Sequence, residues 1–120
     1  MSTFRDLKVY QKAFKLAMDI FILTKSFPDE EKYGLTSQIR RSSRSVCSSI
    51  GEAYRKRKYP AHFISKTTDA DMENSETQVW LDFALSCKCI NKETYVKFKE
   101  RLEEVGKMLN HMIENPEKYA

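Results

Sequence analysis

The chain has 120 residues, 41% of them hydrophobic, which supplies one core and leaves too little for two domains of ordinary size. A single domain over residues 1–120 is expected. Its longest apolar stretches, such as "AMDIFIL", are interrupted by charge far short of the roughly 20 residues a bilayer span needs, and the amino terminus "MSTFRDLKVY" has no uninterrupted apolar segment of the secretory kind. A membrane-spanning protein is therefore excluded as a class, and a cytoplasmic location without a membrane partner is the expectation.

In chain order, Val9, Ala13, Leu16, Ile20, Leu23 and Phe27 recur at steps of four and three, the spacing that aligns one helix face. A parallel line of Tyr10, Phe14, Ala17 and Phe21 makes that face broader than one neighbouring helix needs. The surplus either completes a wide core face or meets another subunit. Pro28 and the acidic "PDEEKYG" run end this helix, and Gly34 precedes a second with Leu35, Ile39, Val46, Ile50 and Ala53 on one side. Pro60, suited to a first helical turn, opens a third that runs to about Lys88. Asn91 is placed to cap a fourth, in which Tyr95, Phe98, Leu102, Val105, Leu109 and Met112 repeat without a miss until Asn115 and Pro116. No segment alternates like a half-buried strand. The reading is all-α: an antiparallel up-and-down four-helix bundle.

Charge is distributed unevenly along these helices. Residues 35–58 hold Arg40, Arg41, Arg44, Arg55, Lys56, Arg57 and Lys58 against Glu52 alone, a net +6, whereas residues 59–91 carry two cations against five carboxylates, a net −3. At about 100° per residue, Arg40, Arg44, Gly51, Arg55 and Lys58 fall within an arc of roughly 60°, away from the apolar line. Ser37, Ser48 and Gly51 lie between them, small groups that let another backbone approach. Arginine forks match phosphate oxygens in bidentate fashion, so the seven cations are candidate nucleic-acid contacts. The competing reading pairs Arg41 and Arg44 with Asp69, Asp71, Glu73 or Glu76 of the third helix, and makes Arg55 to Lys58 a solvated helix end facing the negative pole of the dipole. Within "DADMENSETQVW", Asp71, Asn74, Ser75 and Gln78 surround apolar residues and need partners if buried; the arginines and serines of the second helix are the expected ones.

Nothing in the sequence assembles chemistry. His62 and His111 have no serine or cysteine at a telling distance, glycine-rich phosphate loops are absent, and so is the Glu-x-x-His repeat with which helical bundles hold two metals. The odd set Cys47, Cys87 and Cys89 reads as reduced, mostly buried residues without a zinc framework. No enzymatic activity and no cofactor or metal is expected. A magnesium-dependent hydrolase built on Glu52 or Glu76 is a distant alternative.

The segments "FRDLKVYQKA", "FPDEEKYGLTSQIRRSSRSVCSSIGEAYRKR" and "NSETQVWLDFA" resemble the bacterial four-helix bundle proteins found as reading frames inside intervening sequences of 23S ribosomal RNA genes. The resemblance spans about residues 4–113 and involves no catalytic signature. It implies a homopentameric barrel, and kinship with accessory proteins of diversity-generating retroelements, which look like the same pentamer and bind nucleic acid together with a reverse transcriptase. The family's basic positions fall on Arg40, Arg41 and Arg44, its acidic position on Glu52, and its third-helix segment on Ser75, Glu76, Trp80 and Leu81. Around Glu52 the small residues are exchanged, with Gly51 before it and Ala53 after it. The expectation is thus a homo-oligomeric module that binds RNA or DNA, possible partners including a reverse transcriptase; the alternative is a scaffold whose basic stripe docks an acidic protein or a neighbouring subunit.

Overall fold

Helix boundaries follow from local chemistry at each junction. The computed structural model describes residues 2–120. A short 3-10 turn, Phe4–Asp6, is closed by a capping box in which the Thr3 amide donates to Asp6 Oδ2 at 2.8 Å and the Thr3 side chain accepts in return. Helix α1, Lys8–Thr24, then runs with Val9, Ala13, Leu16, Ala17 and Ile20 buried. It stops three residues before buried Phe27, because Ser26 and the following Pro28 turn the chain into a second 3-10 turn, Asp29–Glu31. Helix α2, Leu35–Arg55, starts after Gly34; the side chain of Glu31 accepts from the Leu35 amide at 3.0 Å.

Four residues connect α2 to α3, Pro60–Ser86, and five connect α3 to α4, Lys92–Glu114; such short connections make neighbouring helices antiparallel. At the end of α3 the Cys89 amide donates to Ala84 O at 2.8 Å and the Lys88 amide to Leu85 O at 3.0 Å. That pattern turns the chain through a left-handed residue. Lys88 occupies it, with φ 63°. Asn91 caps α4 as expected, accepting from the Thr94 amide at 2.8 Å. A last turn, Pro116–Lys118, returns Tyr119 against Phe63 with ring centroids 5.8 Å apart.

Each helix packs against the next, and α1 also against α4, whereas the backbones of α1 and α3 do not approach each other and lie across a diagonal. The result is an all-helical bundle with no strand among the described residues. A 27-residue helix is about 40 Å long at 1.5 Å per residue, which accounts for the 44 Å long axis. One apolar core draws on all four helices, with Ile20, Ile39, Ile50, Phe63, Leu81, Leu102 and Leu109 fully enclosed. No helix among the described residues is long and apolar enough to cross a membrane.

Two polar contacts also hold the seams. Thr77 Oγ1 and Ser42 Oγ share a hydrogen bond at 2.8 Å between α3 and α2, and Asn74 Nδ2 donates to the Leu102 carbonyl of α4 at 2.9 Å. Asn74 thus finds its partner on α4, not on α2 as the sequence reading expected. The reason is Gly106: a Cβ there would lie 3.3 Å from Asn74 Nδ2, so the missing side chain gives Asn74 access to the α4 backbone. Ser75 is exposed and needs no partner.

Candidate nucleic-acid interface

Helix α2 buries Leu35, Ile39, Val46, Ile50 and Ala53, and this fixes where its cations point. Arg41, Arg44, Arg55, Lys56 and Lys58 are exposed, while Arg40 and Arg57 are partly buried. Among the described residues none of the seven forms an ion pair with a carboxylate. Glu52, the single acid of the segment, is engaged by Lys66 of α3 at 3.1 Å. The hydrogen bond to Glu52 and its charge raise the Lys66 pKa. The local surplus of positive charge on α2 is therefore not spent on its own carboxylate.

Aromatic rings and helix ends organise the cations instead. Arg40 Nε donates to Thr24 Oγ1 at 2.7 Å and Nη2 to Phe21 O at 3.3 Å, while the guanidinium lies 4.7 Å from the Phe21 ring centroid. These acceptors belong to the last turn of α1, where unpaired carbonyls concentrate negative partial charge. Arg40 is thus a C-terminal cap of α1 as well as a member of the stripe. Lys25 and Arg44 approach the same ring, at 5.0 and 5.6 Å, so Phe21 gathers three cations against its faces and rim. At the other end of α2, Arg57 lies 4.1 Å from the Tyr54 ring centroid and donates to Tyr54 O at 3.0 Å.

The competing pairing of Arg41 and Arg44 with α3 carboxylates is not made among the described residues. Arg41 acts on Glu73 only at longer range: burial and neighbouring Glu76 raise the Glu73 pKa, and Arg41 opposes them. Gly51 also differs from its sequence reading. Its open side is covered by the Phe4 ring, 3.6 Å from where a Cβ would stand, so the N-terminal turn of this chain takes the space the sequence left for another backbone. Lys32, Ser37, Arg40, Arg41 and Arg44 line a groove of about 600 Å³ along the first half of α2. A second groove, about 280 Å³, carries Glu52, Arg55, Lys56, His62 and Lys66 at the far end.

Sequence reasoning carried the cationic helix face to Lys58, but α2 ends at Arg55 and Lys56, Arg57 and Lys58 lie in the turn beyond it; it also missed Phe21 and Tyr54 as the rings that hold Arg40, Arg44 and Arg57. Phe21 was visible only as part of a surplus apolar line. The thiols are unpaired: Cys47 is pushed up to about 11 by burial, and Cys87 is exposed, contrary to the expectation of mostly buried cysteines. His111 Nδ1 lies 3.2 Å from Tyr119 Oη, whereas His62 packs edge-on against Tyr59, so the two histidines serve different surroundings. Among the described residues no three His, Cys, Asp or Glu side chains gather as a metal site.

A small helical bundle with one cationic helix face is the class that fold and surface define. The family model for the 23S rRNA-intervening sequence protein matches residues 5–111, and the chain belongs to that family. A solved structure of a protein of unknown function from the S23 ribosomal protein family, from Bacteroides thetaiotaomicron VPI-5482, is similar to it at 31% identity with a TM-score of 0.81, over 88% of this chain and 95% of that one. No curated protein matches the chain.

Proposed function

We propose that the protein is a non-enzymatic, oligomeric nucleic-acid-binding module that holds RNA against α2 and its basic corner. The observation that carries this reading is the set of seven cations with no carboxylate partner, five of them exposed. A polyanion is the chemistry such a surface fits, since each phosphate neutralised releases counterions and adds favourable free energy without reading sequence.

Support for self-assembly comes from two exposed apolar stripes. Phe14, Met18 and Ile22 on α1 are 45% to 59% exposed, and Met72, Val79 and Phe83 on α3 are 48% to 65% exposed. Because α1 and α3 lie on a diagonal, the stripes face different sides, the arrangement that a head-to-tail contact between copies uses to close a ring. The proposed assembly is the homopentamer implied by the resemblance. Five copies bring about +20 of formal charge together and multiply weak contacts with one strand. A reverse transcriptase or another protein bound to the same RNA is the proposed further partner.

Filter binding of RNA at low and at moderate salt tests the reading. Wild-type affinity falls steeply with salt, and Arg55→Glu/Lys58→Glu weakens it; affinity indifferent to both refutes RNA binding by this surface. The scaffold alternative is favoured by one observation: Arg44 also borders an apolar groove of about 440 Å³ formed with Phe4, Tyr10, Phe14 and Met18. Dissociation of the oligomer by Arg44→Glu, seen by light scattering, makes that end of the stripe a subunit interface.

A further inference from the structure

Tyr33 is 87% exposed, the residue just before Gly34 and α2, and the one side-chain group on its ring is the ammonium of Lys32 at 5.5 Å. The fold makes no use of this aromatic face. Tyr33 stands at the edge of the 600 Å³ groove that also contains Lys32, Thr36, Ser37 and Arg40. Beneath it lies the first turn of α2, a helix of 21 residues whose leading amides carry positive partial charge.

Those amides are only partly satisfied. The Leu35 amide is taken by Glu31 Oε1 at 3.0 Å, but among the described residues the amides of Thr36 and Ser37 have no acceptor. Thr36 lines the groove, is only 7% exposed, and its hydroxyl has no hydrogen-bond partner. The donors and the neighbouring Lys32 and Arg40 suit a phosphate, and the exposed tyrosine offers a π-face to a base. In a duplex the base faces are already stacked and only phosphates are offered; in an unpaired strand both are available.

We propose that this groove seats one nucleotide of an unpaired RNA strand, its phosphate at the start of α2 and its base stacked on Tyr33, so that the protein selects single-stranded over double-stranded RNA. The assignment rests on the reading of α2 as an RNA-binding surface and adds a ligand class to it. Among the described residues no carboxylate lines the groove; Glu31 caps the Leu35 amide beside it at 3.0 Å, and its charge works against a phosphate there.

The test uses the full-length chain with a fluorescent oligouridylate of about 15 nucleotides and an RNA duplex of about the same length. Wild type binds the single strand more tightly. Tyr33→Ala weakens single-strand binding by about tenfold and leaves the duplex unchanged; Tyr33→Phe keeps the wild-type preference, and Glu31→Gln, which retains an acceptor for Leu35, tightens single-strand binding. Equal or tighter binding of the duplex, an unchanged affinity in Tyr33→Ala, or dissociation of the oligomer by Tyr33→Ala overturns the assignment. If Arg55→Glu/Lys58→Glu still weakens both RNAs in that event, the RNA-binding reading survives and only the nucleotide seat falls. If wild type binds neither RNA, both fall.

Discussion

Arg40 shows how one side chain serves structure and surface together. Its hydrogen bonds to Thr24 Oγ1 and Phe21 O close the C-terminus of α1, and charge-assisted bonds of this kind are worth more than neutral ones. Arg40→Ala is therefore expected to cost about 1–2 kcal/mol in urea unfolding, whereas Arg55→Ala, exposed and unpaired, stays within about 0.5 kcal/mol. Equal stabilities of the two variants contradict the capping role. Its charge was legible in the sequence, and so was its place on the helix face opposite the core, but its partners were not, because they lie on another helix. The cysteines give a second residue-scale prediction. Burial raises the Cys47 thiol to about 11, so at pH 8 it is protonated as well as partly covered, while Cys87 is exposed. A disulfide reagent should modify Cys87 quickly and Cys47 more slowly; labelling of Cys47 as fast as Cys87 in the native protein contradicts the partial burial.

At the scale of elements, α4 was legible almost to its ends, since its apolar residues keep one period and Asn91 and Pro116 mark the limits. The course of α3 was harder to read: its buried line runs Phe63, Thr67, Ala70, Asn74, Thr77, Leu81 and Ala84, so polar residues hold three core positions and blur the apolar signal. Thr67 donates back to Phe63 O of its own helix at 2.7 Å, but the partners of Asn74 and Thr77 depend on close approach between helices, as at Gly106, which spacing along one helix does not reveal. The junction between α3 and α4 has a testable flaw. Lys88 carries a left-handed conformation that glycine adopts without the Cβ penalty. Lys88→Gly should stabilise the protein by about 1 kcal/mol, raising Tm by roughly 4 °C, and a lower Tm contradicts the proposed strain. One junction later, Asn91→Ala removes the cap and should cost about 1 kcal/mol.

For the whole molecule, the seam between α1 and α4 is joined by charge. Lys12 meets Glu104 at 3.2 Å and Arg101 meets Asp19 at 2.8 Å. Desolvation alone would raise the Asp19 pKa, but hydrogen bonds and charge from Lys15 and Arg101 outweigh it and the net shift is downward. A depressed carboxylate contributes stability that is present above its unfolded pKa, about 3.9, and lost as pH falls through the folded value. Asp19→Asn should lower stability at pH 7 and flatten its loss below about pH 4; an unaltered acid profile contradicts the tether. The outward stripes on α1 and α3 predict a mixing experiment. If the proposed ring forms, Phe14→Glu and Phe83→Glu should each break it, and the two variants combined should form a heterodimer through the one undamaged contact; no association on mixing contradicts a head-to-tail ring. The surplus line read from the sequence on α1, Tyr10, Phe14, Ala17 and Phe21, shares only Phe14 with the exposed stripe, since Ala17 is buried in the core; the counterpart on α3 was not read, because its exposed residues stand beside core positions of similar character. The salt dependence of RNA binding by wild type and by Arg55→Glu/Lys58→Glu bears most directly on the central claim that the α2 cations remain available to a polyanion. The account predicts tight wild-type binding at low salt, a steep loss as salt rises, and a weaker affinity with a shallower slope in the double variant. Superimposable curves for the two proteins would contradict it.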